Sequence, residues 1–399
     1  MDAADRSGDP NFPHGLRIHP SSSQRHSEPD SGPTKAAQDR HSGPETDGEA
    51  SSSAQTASWE QDTVEDIQAF GIAGRIWEAA YLLARYLRPA QQVPGELEFD
   101  PPCSLFNTTS DEPLTIVELG SGAGYGSLHL ARQLQQHATE TGSKSSKATL
   151  VLTDLENVVP LMERNVARAG YKQATELLDV RVRSLAWGND AHAESLISEL
   201  QSLASNDVKA AEANPISHIL CSDLVYFPEL LPLLLRSIIS LSSYGSAARS
   251  RYPSNSSGPE LIISYKIRSL IKEQPFWFAL DSWFDFQAVD CRSIPRTNGP
   301  TTAQDAEERT ESDCHRFGSE GQDYGAPATS DQELFVFVGH RRRDTIGCLA
   351  PESDSELMQG KRLRPRQGPD GVTVMTIEAS SGQDYFEWLL LSNMGAGLD

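Results

Sequence analysis

The chain has 399 residues, of which 38% are hydrophobic and 23% charged, and its formal net charge is −22 at pH 7. Phosphate binding depends on Lys and Arg, so this balance argues against nucleic acid and permits attraction of basic protein segments. Five cysteines, at 103, 221, 291, 314 and 348, lack Cys-x-x-Cys spacing, which fits reduced thiols in cytosol or nucleus better than a disulfide frame or a zinc site.

Residues 1–57 are Ser, Asp, Pro, Gly, Gln and His with hardly any aliphatic residue. Such a stretch cannot bury enough surface to offset ordering entropy, so it reads as a disordered tail, dispensable for catalysis. Its start, Met1-Asp2-Ala3-Ala4-Asp5, has neither a basic nor an apolar leader region, and no apolar run is long enough to span a bilayer. A cytoplasmic place is expected, with the nucleus as a second one, and no membrane.

The folded part is expected over 58–340. From Arg75, the residues Ile76, Trp77, Ala80, Leu83, Ala84 and Leu87 recur at helical intervals, and Pro89 ends the helix. Residues 90–113 carry four prolines and read as a linker loop. The organising stretch follows: an apolar run from Leu114 ends at Glu118 and enters glycines 120, 122, 124 and 126, before a helix-period segment from Leu128 to Leu134. Strand, tight loop and helix in that order place unpaired N–H groups where a small ligand can approach the backbone. A dinucleotide fingerprint needs its third glycine at position 125, which is Tyr125, so that reading fails.

Residues 135–147 are polar and read as a surface insertion before the buried strand Ala148–Thr153. That strand ends at Asp154, which can accept hydrogen bonds from ribose hydroxyls or cap the helix at Val158–Ala169. Leu177–Ser184 alternates as a third strand and runs into Trp187; a helix covers Ala191–Leu203. Pro215–Ser222 is a fourth strand ending in Asp223-Leu224-Val225-Tyr226, and a helix follows over Pro228–Leu241. Leu261–Ser264 is a fifth strand tipped by Tyr265 and Lys266, with a helix over Ser269–Asp281.

This alternation implies an α/β fold with a Rossmann-like, doubly wound sheet whose ligands lie at the C-terminal strand ends. Gly120, Asp154, Trp187, Asp223 and Tyr265 are then expected on one edge. Phe284–Cys291 and Glu333–Val338 supply a sixth and a seventh strand, separated by an inserted polar loop, 292–331. In the last segment, 341–399, the basic runs Arg341-Arg342-Arg343 and Lys361–Arg366 read as solvated surface or as nuclear address signals. Val372–Ile377 and Tyr385–Leu391 form an added hairpin, or one of them replaces Leu334–Val338 as the last strand. No Ser/His/Asp or metal-ligand constellation is apparent.

Four segments resemble the methyltransferase-like protein-lysine methyltransferase family, of the class I, seven-stranded methyltransferases: Arg75–Ala80, Val117–Gly124, Thr153–Asn165 and Ser222–Leu233. Tyr265-Lys266-Ile267-Arg268 is similar to the family's Tyr-Lys segment. The resemblance implies S-adenosylmethionine as cofactor and transfer of its methyl group to a lysine of a protein such as an elongation factor or chaperone; a monomer is expected. It implies that Trp77 packs on the cofactor, that Glu118, Gly120, Ser121, Gly122 and Gly124 hold its methionine end, that Asp154 holds the ribose, and that Trp187 lies by the adenine. Asp223 and Tyr226 would line the lysine channel as the catalytic pair, with Asp223 also near the cofactor. Ala186 departs from the pattern, which has an acidic residue there. The alternatives are a methyltransferase of small molecules or other side chains, and an inactive cofactor-binding interaction protein.

Overall fold

The computed structural model describes residues 9–13, 16–21, 58–90, 96–106, 113–141, 147–204, 215–243, 258–294, 315–316, 334–367, 373–379 and 386. In chain order the elements are α1 (Val64–Phe70), a 3-10 turn (Gly71–Gly74), α2 (Glu78–Tyr86), β1 (Leu97–Asp100), β2 (Thr115–Leu119), α3 (Tyr125–Thr141), β3 (Ala148–Asp154), α4 (Val159–Arg168), β4 (Leu178–Ser184) and α5 (Asp190–Ala204). There follow β5 (His218–Ser222), α6 (Leu231–Ser243), β6 (Glu260–Lys266), α7 (Leu270–Asp281), β7 (Phe284–Ala288), β8 (Asp290–Ser293), β9 (His315–Arg316) and β10 (Leu334–Arg341). A short helix, Asp354–Met358, precedes β11 (Lys361–Gln367) and β12 (Thr373–Ala379).

Seven strands form one sheet in the order β4-β3-β2-β5-β6-β10-β7. The first five are parallel, and β10 runs antiparallel between β6 and β7. This is the doubly wound, seven-stranded fold expected from the alternation of strand and helix. Every residue of β2 is buried, and β5 is buried apart from its last, because helices cover both faces of a parallel sheet and leave no polar side to alternate. The chain leaves β2 towards β3 on one side and returns to β5 on the other. The crevice at that reversal of direction, beyond the C-terminal strand ends, is where such sheets receive ligands.

Several elements differ from expectation. The Pro-rich stretch 90–113 holds β1, which pairs with β8 in a separate three-stranded sheet. Pairing between segments so far apart leaves no local periodicity. The run Phe284–Cys291 splits at Val289, whose N–H donates to Val336 O at 2.8 Å, so that β7 joins β10 while β8 turns away to β1. Helix α3 extends through Thr141, well into the stretch read as an insertion; residues 142–146 and nearly all of 292–331 lie outside the described residues. Leu334–Arg341 is the last strand of the sheet, and β12, which holds most of the expected strand Val372–Ile377, pairs with β11; the pairing expected with Tyr385–Leu391 lies outside the described residues. Of that latter segment only Phe386 is described, and its ring stacks on Trp277 at 4.7 Å.

Arg341 departs from the reading of its basic run as solvated surface, whereas Arg343 is exposed as expected. Only 2% of Arg341 is exposed, and its guanidinium donates to Ile239 O at 2.8 Å, Ser242 Oγ at 3.0 Å and Cys348 O at 3.3 Å. A cation there meets Ile239 O near the C-terminal end of α6, where positive charge complements the helix dipole, and carbonyls of the segment after β10. Parts of the N-terminal stretch are also built into the fold. Ser21 donates from N and Oγ to Asp62, and Asn11 O accepts from the Ile72 N–H at 2.9 Å. Few hydrophobic residues are needed when a segment is held by hydrogen bonds to a body that already exists.

Candidate functional site

The ends of β2, β3, β4 and β5 surround a cavity of ≈ 320 Å³. Glu118, next to last in β2, is 1% exposed. Burial pushes its carboxyl up to about 7. Its Oε2 has no hydrogen-bond partner within the protein. An orphaned buried acceptor on a cavity wall is costly, and a ligand donor such as an ammonium would satisfy it.

The loop beyond Glu118 turns through positive φ at Gly120 (56°) and Gly122 (53°). A Cβ on Gly120 would lie 2.8 Å from both Leu224 and Trp187, so only glycine fits between the cavity walls. Ser121 fastens the loop to β3: its N–H donates to Thr153 O at 2.9 Å, and its Oγ accepts from the Thr153 N–H at 3.1 Å. Gly124 does not join the cavity lining. A Cβ there would strike Leu152 at 2.7 Å, so its part is packing of the loop on the sheet.

Asp154 ends β3 and is buried, which raises its carboxyl to about 6 although it accepts from the N–H groups of Gly122 (2.8 Å) and Leu155 (2.7 Å). It does not cap α4, whose N-cap is Val158. Each oxygen keeps lone pairs towards the cavity, where ribose hydroxyls could donate.

Trp77 stands at the N-cap of α2. Its indole N–H donates to Ile72 O at 2.9 Å, and the guanidinium carbons of Arg75 and Arg268 lie 4.4 Å and 5.7 Å from its ring. Trp187 follows β4, edge-on to the Tyr226 ring at 6.4 Å.

Asp223 follows β5 with φ +60°, the only non-glycine residue with positive φ among the described residues. Such a conformation costs about 1–3 kcal/mol and persists where neighbours impose it. Here the Asp223 N–H is fixed to Ser264 O at 2.9 Å, and the carboxylate accepts from both terminal nitrogens of Arg268, one at 2.7 Å.

Nine of the ten expected site residues thus line one cavity: Trp77, Glu118, Gly120, Ser121, Gly122, Asp154, Trp187, Asp223 and Tyr226. Tyr265, expected on the same edge, turns into the core and donates its hydroxyl to Glu273. Residues without a role in the sequence reading also line the cavity: Arg268, Arg75, Pro10, Asn11 and Leu16. Arg268 sits in the Tyr-Lys segment already noted, whereas nothing in residues 9–21 marks them as part of a site.

The lining fits a nucleoside joined to an amino acid. Glu118 offers an acceptor to an ammonium, the N–H-rich loop can meet a carboxylate, Asp154 can take hydroxyls, and Leu185, Leu224 and Trp187 supply apolar walls for a base.

Comparison with known proteins bears on this geometry. The protein-lysine N-methyltransferase EFM6 of Saccharomyces cerevisiae is 26% identical over 178 residues, 45% of this chain and 61% of the yeast protein. The match therefore spans less than two thirds of that relative. A crystal structure of MNMC2 from Aquifex aeolicus aligns with 12% identity over 57% of this chain and 65% of the other, with a TM-score of 0.28, and adds nothing to the assignment. A family model described as lysine methyltransferase matches residues 57–274, more than half of the chain and the part that carries every strand end around the cavity, so the protein belongs to the lysine methyltransferase family.

Proposed function

We propose that the protein is a protein-lysine N-methyltransferase that uses S-adenosylmethionine, acting as a monomer in cytosol or nucleus on a protein such as an elongation factor or chaperone. The observation that carries the reading is Asp223, a carboxylate held at positive φ beside the loop that follows Glu118 and inside the same cavity.

Bound there, the cofactor supplies a methyl on a sulfonium, so that the amine lone pair forms the new N–C bond while the S–C pair stays on a neutral thioether. The residues of the chain must align the amine, keep water out and admit the uncharged form. A lysine of pKa near 10.4 is neutral in roughly one molecule in 2,500 at pH 7, a cost of about 4.6 kcal/mol. Glu118 and Asp154 hold the two ends of the cofactor, Trp77 and Trp187 wall the cavity, and Asp223 orients the incoming nitrogen by hydrogen bonding. Tyr226, close to Trp187, adds an oxygen or an aromatic wall for the cation.

The test is incubation of the protein with labelled S-adenosylmethionine and lysate of cells lacking it, followed by mass-spectrometric mapping of the labelled site. Label on lysine of a protein supports the reading; label on a small molecule or another side chain favours the first alternative, and no turnover with any substrate favours the inactive binding protein. Asp223→Ala is expected to bind the cofactor and lose methylation of the lysate. Unchanged methylation by that variant refutes the role given to Asp223.

A further inference from the structure

The cavity holds a cation that the reaction as outlined does not use. Arg268 places its guanidinium fork on Asp223, Nη1 to Oδ1 at 2.7 Å and Nη2 to Oδ2. The carboxylate side chain is 1% exposed and the guanidinium 28%. Arg268 is itself held from two sides, by Nη1 on Lys266 O at 3.2 Å and by its backbone N–H on Glu273 Oε2 at 3.3 Å. We propose that Arg268 is an activating residue for methyl transfer: by neutralising Asp223 it lets that carboxylate align the target lysine without holding the lysine in its ammonium form.

This rests on the lysine methyltransferase activity proposed above. A buried carboxylate alone beside an amine favours the charged ammonium, and so opposes the form that can attack. A carboxylate paired with a guanidinium presents no net charge to the cavity, yet the fork occupies one lone pair on each oxygen and leaves the others for an N–H of the amine. The proton lost by the ammonium passes to bulk solvent before methyl transfer, and the freed lone pair makes the N–C bond as the S–C bond breaks. A guanidinium does not titrate in the working range, so the compensation is constant with pH; a lysine or histidine at 268 would not guarantee that.

Of the other charged groups facing this point among the described residues, only Glu78 has cations of its own, while Glu273 and Asp154 meet neutral donors alone and Glu118 meets no cation. Glu78 on α2 bonds both Arg75 (2.9 Å) and Lys266 (3.3 Å), and Glu273 on α7 takes the Tyr265 hydroxyl. Glu118 and Asp154 on β2 and β3 line the cofactor side of the cavity, and Tyr226 faces the pair from the loop after β5.

The experiment compares the pH profiles of the maximal rate for wild type, Arg268→Gln, Arg268→Lys and the double variant Arg268→Gln/Asp223→Asn. The probe is the protein most strongly labelled in lysate, purified and titrated to saturation, with S-adenosylmethionine saturating at every pH. Maximal rates report the bound complex, and cofactor affinity is measured separately by calorimetry because Glu118 and Asp154 share the cavity. For Arg268→Gln the rise of rate with pH should move up by about one pH unit, so that the rate is roughly tenfold lower at pH 7 and approaches wild type in alkali. Arg268→Lys should follow the wild-type profile up to about pH 9, and the double variant, slow at every pH because the Asp223 carboxylate is gone, should have its residual rate rise over the wild-type pH range. A rate of Arg268→Gln lowered by the same factor at all pH values, or no turnover by it up to pH ~10 with cofactor affinity intact, overturns the proposal and leaves only a structural ion pair. Should Arg268→Gln not fold, a double variant with the same displaced profile overturns it as well. A wild-type protein that labels no protein lysine refutes the activity itself, and this proposal with it.

Discussion

Glu118→Gln should make the empty protein more stable and a worse binder of its cofactor. Burial moves the Glu118 carboxyl from 4.5 to about 7, so between those values the folded chain keeps a proton that the unfolded chain has already lost. Stability therefore declines as pH rises through that window and levels off above about 7, and the accumulated loss is about 3 kcal/mol at 1.36 kcal/mol per pH unit. Gln keeps the shape and removes the charge. The atom at the Oε2 position is unpartnered in either case, so the orphan cost largely cancels. Thermal unfolding of the cofactor-free protein at pH 8 should rise by roughly 6 °C in the variant, at about 2 °C per kcal/mol for a domain of this size. At pH 5 the wild-type side chain is already protonated in the folded state, and the gain should shrink to about 1–2 °C. Calorimetric titration at pH 8 should show S-adenosylmethionine bound at least ~10-fold more weakly, the worth of one charge-assisted hydrogen bond. Asp154, raised to about 6, contributes to the Glu118 shift by like-charge repulsion, and that part is relieved together with the rest when Gln removes the charge. Equal unfolding temperatures at pH 8, or an equal gain at the two pH values, would show that burial of this carboxylate is not what costs stability.

Removing residues 1–21 takes away Pro10, Asn11 and Leu16 from the cavity wall and the Ser21 bonds to Asp62; cofactor affinity should fall by about tenfold or more with an unchanged circular-dichroism spectrum. Affinity within about twofold of the full chain would mean that these residues lie against the site without contributing to it. Arg341→Met takes the guanidinium from Thr345 O and Cys348 O, while Ile239 O keeps the Ser242 and Ser243 hydroxyls; it should lower unfolding stability by on the order of 3 kcal/mol, read from the urea midpoint. A change under about 0.5 kcal/mol would be that of an exposed surface residue.

Local rules reach the strand ends well. Glu118, the glycines and Asp154 are legible because a buried parallel strand reads as a short apolar run, and whatever polar or glycine residue stops that run stands at the sheet edge where ligands bind. Asp223 is legible for the same reason, although its positive φ is not. The rule fails at Tyr265, since β6 continues two residues beyond its apolar run and the ring at its end has aromatic neighbours, Trp277 at 5.0 Å among them, to pack against. It also misplaces Gly124, a genuine turn residue that faces Leu152 instead of the cavity. Arg341 misleads in the opposite sense: three consecutive arginines resemble a solvated run, and only the position of the end of α6 shows that one of them is a buried donor.

The order of strands and helices, the edge on which ligands bind and the residues that close each strand were set by the sequence itself, because periodicity and punctuation act over a few neighbours. Which groups meet across that edge was decided by tertiary structure. The fork of Arg268 on Asp223 joins residues 45 apart, and the Ser21 bond to Asp62 joins residues 41 apart. Contacts of that separation leave no trace in local composition, since hydrogen bonds and ion pairs depend on distances of a few ångströms that only the packed sheet brings about.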